Sequence, residues 1–269
     1  MALIQMCFLS TALKRTVPVT VILPVDNTAF AQKKKVFPTL YLLHGLLGSH
    51  MDWVSNTRIQ QWAEERGLAV VMPSGENSFY IDQQLPNQDY GAFIGQELVE
   101  MTRRTFPLSH KREETFLAGL SMGGFGAIRN GLKYADTFGY VAGLSSAVHI
   151  FEMAPDAPGR TLFQEDLVFG DLEAARKTDK NPRVALSRAR SSGMEIPRLY
   201  MCCGLQDSLL ASNRSLRDYF LDNGVSLTYR ESEGKHDWDF WYSQIQNVLD
   251  WLPLPNPAAG LSSGNITAI

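Results

Sequence analysis

Between residues 116 and 128 the chain reads FLAGLSMGGFGAI, an apolar run that breaks on a glycine-flanked serine and resumes as small and apolar residues. This junction restricts the folds open to the chain. ETFLAGL ahead of Ser121 is rich in strand formers, and MGGFGAIRNGLKYA after it has helical spacing. A serine between a strand and a helix sits on a tight turn that lifts its hydroxyl out of a sheet. Bulk at Gly119 or Gly123 would strike neighbouring backbone, while Gly124 and Gly126 let the helix lie close to the strands. The G-x-S-x-G pattern alone recurs by chance, so the flanking elements carry the weight.

Those elements belong to a longer alternation. The apolar runs FPTLYLLHG, LAVVMP, ETFLAGL, GYVAGLSS, PRLYMCCG and VSLTYRES alternate with the amphipathic segments TRIQQWAEERG, YGAFIGQELVEMTRRTF, MGGFGAIRNGLKYA and LLASNRSLRDYFLDNG, and DWDFWYSQIQNVLDWL closes the series. Continuous apolar strands separated by helices predict the α/β class, with a mostly parallel central sheet and helices on both faces. ALIQMCFLS and TVPVTVILP precede the alternation and read as an antiparallel pair, Pro18 placing the second at an edge or at its own start. The stretch 147–196, with Phe151, Phe163, Phe169 and the basic run SRARSS, is too long for an ordinary connection and predicts a small helical cap insertion. One domain is expected over 1–256, followed by a flexible tail over 257–269.

Composition excludes several classes of function. The chain has 269 residues, 45% hydrophobic and 20% charged, with a formal charge of −3. KKK at 33–35 reads as a solvated turn, so no nucleic-acid partner is expected. Cys7, Cys202 and Cys203 are odd in number and two are adjacent, which implies no disulfide framework, and the adjacent pair in RLYMCCG reads as two buried thiols. No Cys/His cluster has ligand spacing, so neither metal nor cofactor is expected. No apolar run reaches the roughly 18 residues of a membrane span. The apolar start, MALIQMCFLSTALKRT, has its cations Lys14 and Arg15 behind the apolar stretch, unlike a secretory signal. A soluble, cytoplasmic protein is expected. Its oligomeric state is left open, a homo-oligomer included.

A serine hydroxyl needs a base at neutral pH. On this kind of sheet the order along the chain is serine, acid, histidine. Of five histidines only His149 and His236 follow Ser121. His149 follows too closely to leave room for a strand-end acid between them. His236, in ESEGKHDWDFW, lies between the last strand and the last helix and is the expected base. Asp207, three residues past Gly204 in MCCGLQDSLL, is the expected acid, and it also suits an N-cap of the next helix. Asp237 and Asp239 rank below it, being too close in sequence to aim His236. The oxyanion of a tetrahedral intermediate needs two donors. Met122 N–H should supply one, and the HGLLG loop the other, from Leu46 with Leu47 as rival. His44 either orders this loop or is simply buried.

Taken together, YLLHGLLGSHMDW, GLSMGGFGAI, CGLQD and EGKHDWDFW resemble the esterase D-like branch of the α/β-hydrolases over nearly the whole chain, and most of all the bacterial tributyrin esterases. The resemblance implies the α/β-hydrolase fold, a Ser121–Asp207–His236 triad, an oxyanion hole from Leu46 and Met122, and substrate-wall roles for Tyr80 and Asp82 in SFYID. It also implies a serine carboxylesterase of short acyl chains, with a small ester as partner. Feruloyl or acetyl-xylan esterases, and S-formylglutathione hydrolase-like thioesterases or acyltransferases, share the same core and stay as alternatives.

Overall fold

Successive residues of a strand face opposite sides of a sheet, and β3 (Thr39–Leu43) is apolar on both. Its Leu40 and Leu42 enter one core and its Tyr41 and Leu43 the other. A strand of this kind requires cover above and below, and the computed structural model supplies it. The structure describes residues 1–25, 36–153 and 165–254. KKK at 33–35, Phe163 and the tail 257–269 lie outside the described residues.

Eight strands form one sheet in the order β1-β2-β4-β3-β5-β6-β7-β8. The hairpin β1 (Ala2–Ser10) and β2 (Arg15–Leu23) is antiparallel, and β2 also runs antiparallel to β4 (Ala69–Pro73). From β4 onward the sheet is parallel, through β3, β5 (Thr115–Leu120), β6 (Tyr140–Leu144), β7 (Arg198–Gly204) and β8 (Leu227–Ser232). Pro18 does not make β2 an edge; β1 takes that place. The ladder to β4 begins at Val19, one residue past the missing N–H.

One face is covered by α1 (Asp52–Asn56), α2 (Ile59–Arg66) and α10 (Trp238–Trp251), through Trp53, Ile59, Trp62, Phe240, Ile245 and Val248. The other face carries α3 (Tyr90–Ala92), α4 (Leu98–Thr105), α5 (Met122–Lys133) and α9 (Leu210–Asp222). The sequence predicts one unbroken helix over 90–106, but a π-helical turn, Phe93–Glu97, separates α3 from α4. Glu97 ends that turn and accepts hydrogen bonds from Ser10, Thr11 and Ala12, fixing the β1–β2 hairpin to this face.

Within 147–196 the described residues form a 3-10 turn, α6 (Glu165–Phe169), α7 (Leu172–Ala175) and α8 (Pro182–Ser191). SRARSS is therefore mostly helical, with Ala185, Leu186 and Ala189 turned into the core. α8 packs on α5, and Phe151 and Phe169 meet Phe125 with ring centroids 6.0 Å away.

An ion network reinforces that seam. Arg129 of α5 is 1% exposed and reaches Asp82 at 3.9 Å and Asp179 at 3.5 Å, while Lys133 reaches the same two carboxylates at 3.0 and 3.2 Å. Burial opposes the charge on Asp179, but Arg129 and Lys133 outweigh it and hold the carboxyl below its ordinary 3.8. A depressed folded pKa gives stability that is present above the unfolded value and lost as pH falls through the folded one. Asp179→Asn should therefore cost about 1.5–3 kcal/mol near neutrality. In thermal melts its gap to the parent should close as pH falls below 3.8. A gap that is constant with pH would contradict the network.

Candidate active site

Four loops meet at the carboxyl ends of β3, β5, β7 and β8. Parallel α/β sheets bind ligands at that edge. Ser121 follows β5 with φ 53° and ψ −116°, outside the helical region, and α5 starts at the next residue. Its backbone is fixed on both sides: Ser121 N–H donates to Leu144 O at 2.8 Å, and Ala147 N–H donates to Ser121 O at 3.0 Å. The close crossing of β3 needs glycine at 123, where a Cβ would stand 2.5 Å from His44 O.

Asp207 and His236 come from the next two strand ends. A Cβ at Gly204 would lie 2.3 Å from Gly234 O, so glycine there lets the β7 and β8 loops touch. Gly234 itself has φ 148°, a conformation L side chains rarely adopt. The result is a continuous chain of hydrogen-bonding groups. His236 Nε2 lies 2.9 Å from Ser121 Oγ, and His236 Nδ1 lies 2.9 Å from Asp207 Oδ2. Trp241 sets its ring edge-to-face with His236, centroids 5.0 Å apart.

Asp207 is not the N-cap of α9; Leu209 holds that position, and no side chain caps it. While Oδ2 faces the imidazole, Oδ1 accepts the Leu209 N–H at 2.8 Å at the start of α9. Burial opposes its charge, but the hydrogen bonds from His236 and Leu209 outweigh that cost and keep the carboxyl below its ordinary value. His149 is near enough to feel His236 and Asp207, but its Nδ1 is buried with no hydrogen-bond partner. Burial, and next the neighbouring His236, lower its pKa. Asp237 caps α10 by accepting the Phe240 N–H at 3.1 Å.

The β3 loop offers backbone donors. Leu47 N–H is engaged by Asn77 Oδ1 at 2.8 Å. Neither Leu46 N–H nor Met122 N–H has an acceptor among the described residues. His44 braces this loop from beneath. Gly75 N–H donates to its Nε2 at 2.8 Å, so Nδ1 carries the proton and donates to Gly45 O at 2.7 Å. Burial keeps the imidazole pKa below its ordinary value.

Tyr80 and Asp82 do not take the substrate-wall places expected of them. Tyr80 is 0% exposed, fills the space that Gly75 and Gly126 leave, and donates its hydroxyl to His44 O at 3.1 Å. Asp82 is occupied by Arg129, Lys133 and the Ala92 N–H. Both support the loops from behind. Asn77, which holds the turn at Leu47, escaped the sequence reading, because nothing local links it to a loop thirty residues earlier.

No helix among the described residues is long and apolar enough to cross a membrane, and no group of three potential metal ligands occurs among them.

The chain has relatives among known esterases and serine hydrolases. An acetyl esterase of Caldicellulosiruptor saccharolyticus is 41% identical over 261 residues, covering 94% of this chain and 98% of the relative. The substrate-bound structure of a fluorophosphonate-binding serine hydrolase, F, of Staphylococcus aureus superposes with a TM-score of 0.82 at 30% identity, covering 93% of this chain and 98% of that one. An S-formylglutathione hydrolase of the same organism gives 0.81 at 30% identity, with the same coverage. The family described as "Putative esterase" matches residues 10–252. With that match on an eight-stranded, mostly parallel sheet covered on both faces, the chain belongs to this esterase family of the α/β-hydrolases.

Proposed function

We propose that the protein is a serine carboxylesterase of small, short-chain acyl esters, working through an acyl-enzyme. The observation that carries this reading is the bridging position of His236, 2.9 Å from Ser121 Oγ on one side and 2.9 Å from Asp207 on the other. Ser121 Oγ attacks the acyl carbon while His236 Nε2 takes its proton. Asp207 holds the proton on Nδ1, which leaves Nε2 free to accept, and its charge stabilises the imidazolium. The negative oxygen of the tetrahedral intermediate is received by Leu46 N–H and Met122 N–H, the second at the positive end of α5. Because Leu47 N–H is spent on Asn77, Leu46 is preferred over its neighbour. Each such donor contributes about 3 kcal/mol in related chemistry. The intermediate collapses, the alcohol leaves with the proton from His236, and water then repeats the sequence on the acyl-enzyme.

The acetyl esterase likeness favours a short acyl group. A thioesterase on the same Ser121 is the second reading, favoured by the S-formylglutathione hydrolase likeness. The insertion 147–196 is proposed as a small cap flanking the site, and 257–269 as a tail outside the domain. Cys7, Cys202 and Cys203 are unpaired, which agrees with a reducing compartment, and the cytoplasm is the proposed location. Covalent labelling by a fluorophosphonate tests the reading: the folded protein should be labelled at Ser121, and its failure to label would remove the nucleophile.

A further inference from the structure

The sheet has two edges, and they are built differently. β8, at one edge, carries Arg230 and Glu231, and Glu231 pairs with Arg214 at 2.6 Å and Arg217 at 3.5 Å. Charged side chains on an outer strand oppose pairing with another sheet. β1, at the other edge, reads ALIQMCFLS, nine residues with no charge and no proline. Its ladder to β2 runs from Ala2 to Ser10 without a bulge. The backbone groups of β1 that point away from β2 have no partner among the described residues. An open, regular, uncharged edge is a template for a further strand.

The side chains show which strand fits. Ile4, Met6 and Phe8 pack on the core beneath the sheet. Leu3, Gln5, Cys7 and Leu9, on the opposite face, are all exposed, Leu9 by 70%. Two copies related by a two-fold axis perpendicular to the sheet would bring β1 against β1 antiparallel, each contact occurring twice. Paired residues then share a face, so the axis must pass through a residue and not between two. Only an axis at Met6 pairs all nine residues of the strand. It sets Leu3 opposite the partner's Leu9 and Gln5 opposite the partner's Cys7, with Ile4 opposite the partner's Phe8 on the core side. The two exposed leucines thus cover each other, and no charge is buried. The strand is its own complement.

We propose that the protein forms a two-fold dimer through β1, joining two sheets into one continuous sheet centred on Met6. The proposal is independent of the esterase reading. Sedimentation velocity on the full chain at about 50 µM, above the Kd of a micromolar complex, should show a dimer. Leu3→Lys/Leu9→Lys changes two exposed side chains and sets like charges opposite each other twice. It should weaken association about 100-fold or more and leave a folded monomer with unchanged turnover per chain. The register has its own test. In the parent, Cys7 and the partner's Cys7 would be diagonal neighbours about 7–8 Å apart, too far to bridge. In Gln5→Cys the new thiol faces the partner's Cys7 directly, and diamide, taking up the two electrons, should link the chains by a disulfide. Cys202 and Cys203 are buried and do not compete. A monomeric parent, a dimer that survives the two lysines, or a Gln5→Cys variant that diamide leaves unlinked would each overturn the proposal.

Discussion

Ser121→Ala should lower turnover of p-nitrophenyl acetate and butyrate by roughly 10⁴-fold or more, since the residual rate can come only from binding and the oxyanion donors. The fold should not notice. Alanine keeps the Cβ, so the φ of 53° at this position is no more strained than before. The backbone bonds from Ser121 to Leu144, Ala147 and Phe125 use main-chain atoms alone. The melting temperature should therefore stay within about 2 °C of the parent. Turnover that survives in a folded variant would show that another group attacks the ester.

Asp207→Asn should have the second largest effect, about 10³- to 10⁴-fold on kcat, for a different reason. Asparagine fits the space, and its amide oxygen can still accept from Leu209 N–H. The amide nitrogen then faces His236 Nδ1 and offers a hydrogen. The imidazole must respond by moving its own proton to Nε2, where it can no longer accept one from Ser121. Stability should fall little, because only one charge-assisted hydrogen bond is weakened; about 1 kcal/mol corresponds to about 2–4 °C for a chain of this size. The Asp207 carboxyl is held below its ordinary 3.8, so this small difference is present above that value and lost as pH falls through the folded pKa. Near-normal turnover with a large loss of stability would mean that Asp207 serves only as the turn at the head of α9.

Much of this was legible in the sequence because the chemistry sits at strand ends. Apolar runs from Leu40 to Leu43 and from Phe116 to Leu120 are buried on both faces, and that pattern needs no tertiary information to read. Once the strands are placed, the residues just past them are nearly fixed in space, which is why the meeting of Ser121, Asp207 and His236 could be expected from their positions. What escaped depends on contacts between distant segments. Tyr80 looked like a wall residue, but the spaces left by Gly75 and Gly126 draw it inward to hold His44 O. Asp82 sits in the same short motif, and its pairing with Arg129 and Lys133 is visible only once α5 lies across it. The rivalry between Leu46 and Leu47 was undecidable locally, because the group that occupies Leu47 N–H comes from residue 77. The π-helical turn was likewise not legible: FIGQE holds no proline, and Glu97 at its end is bonded to the β1–β2 hairpin.

The edge where four loops converge should have one chemical signature, an oxygen nucleophile that reacts with phosphorus electrophiles far faster than any ordinary serine. Peptide mapping after brief exposure to a fluorophosphonate measures it directly. The adduct should reside on the peptide containing Ser121 in the parent, form much more slowly in Asp207→Asn, and be absent from Ser121→Ala. Modification of a different residue, or none in folded parent protein, would contradict the account.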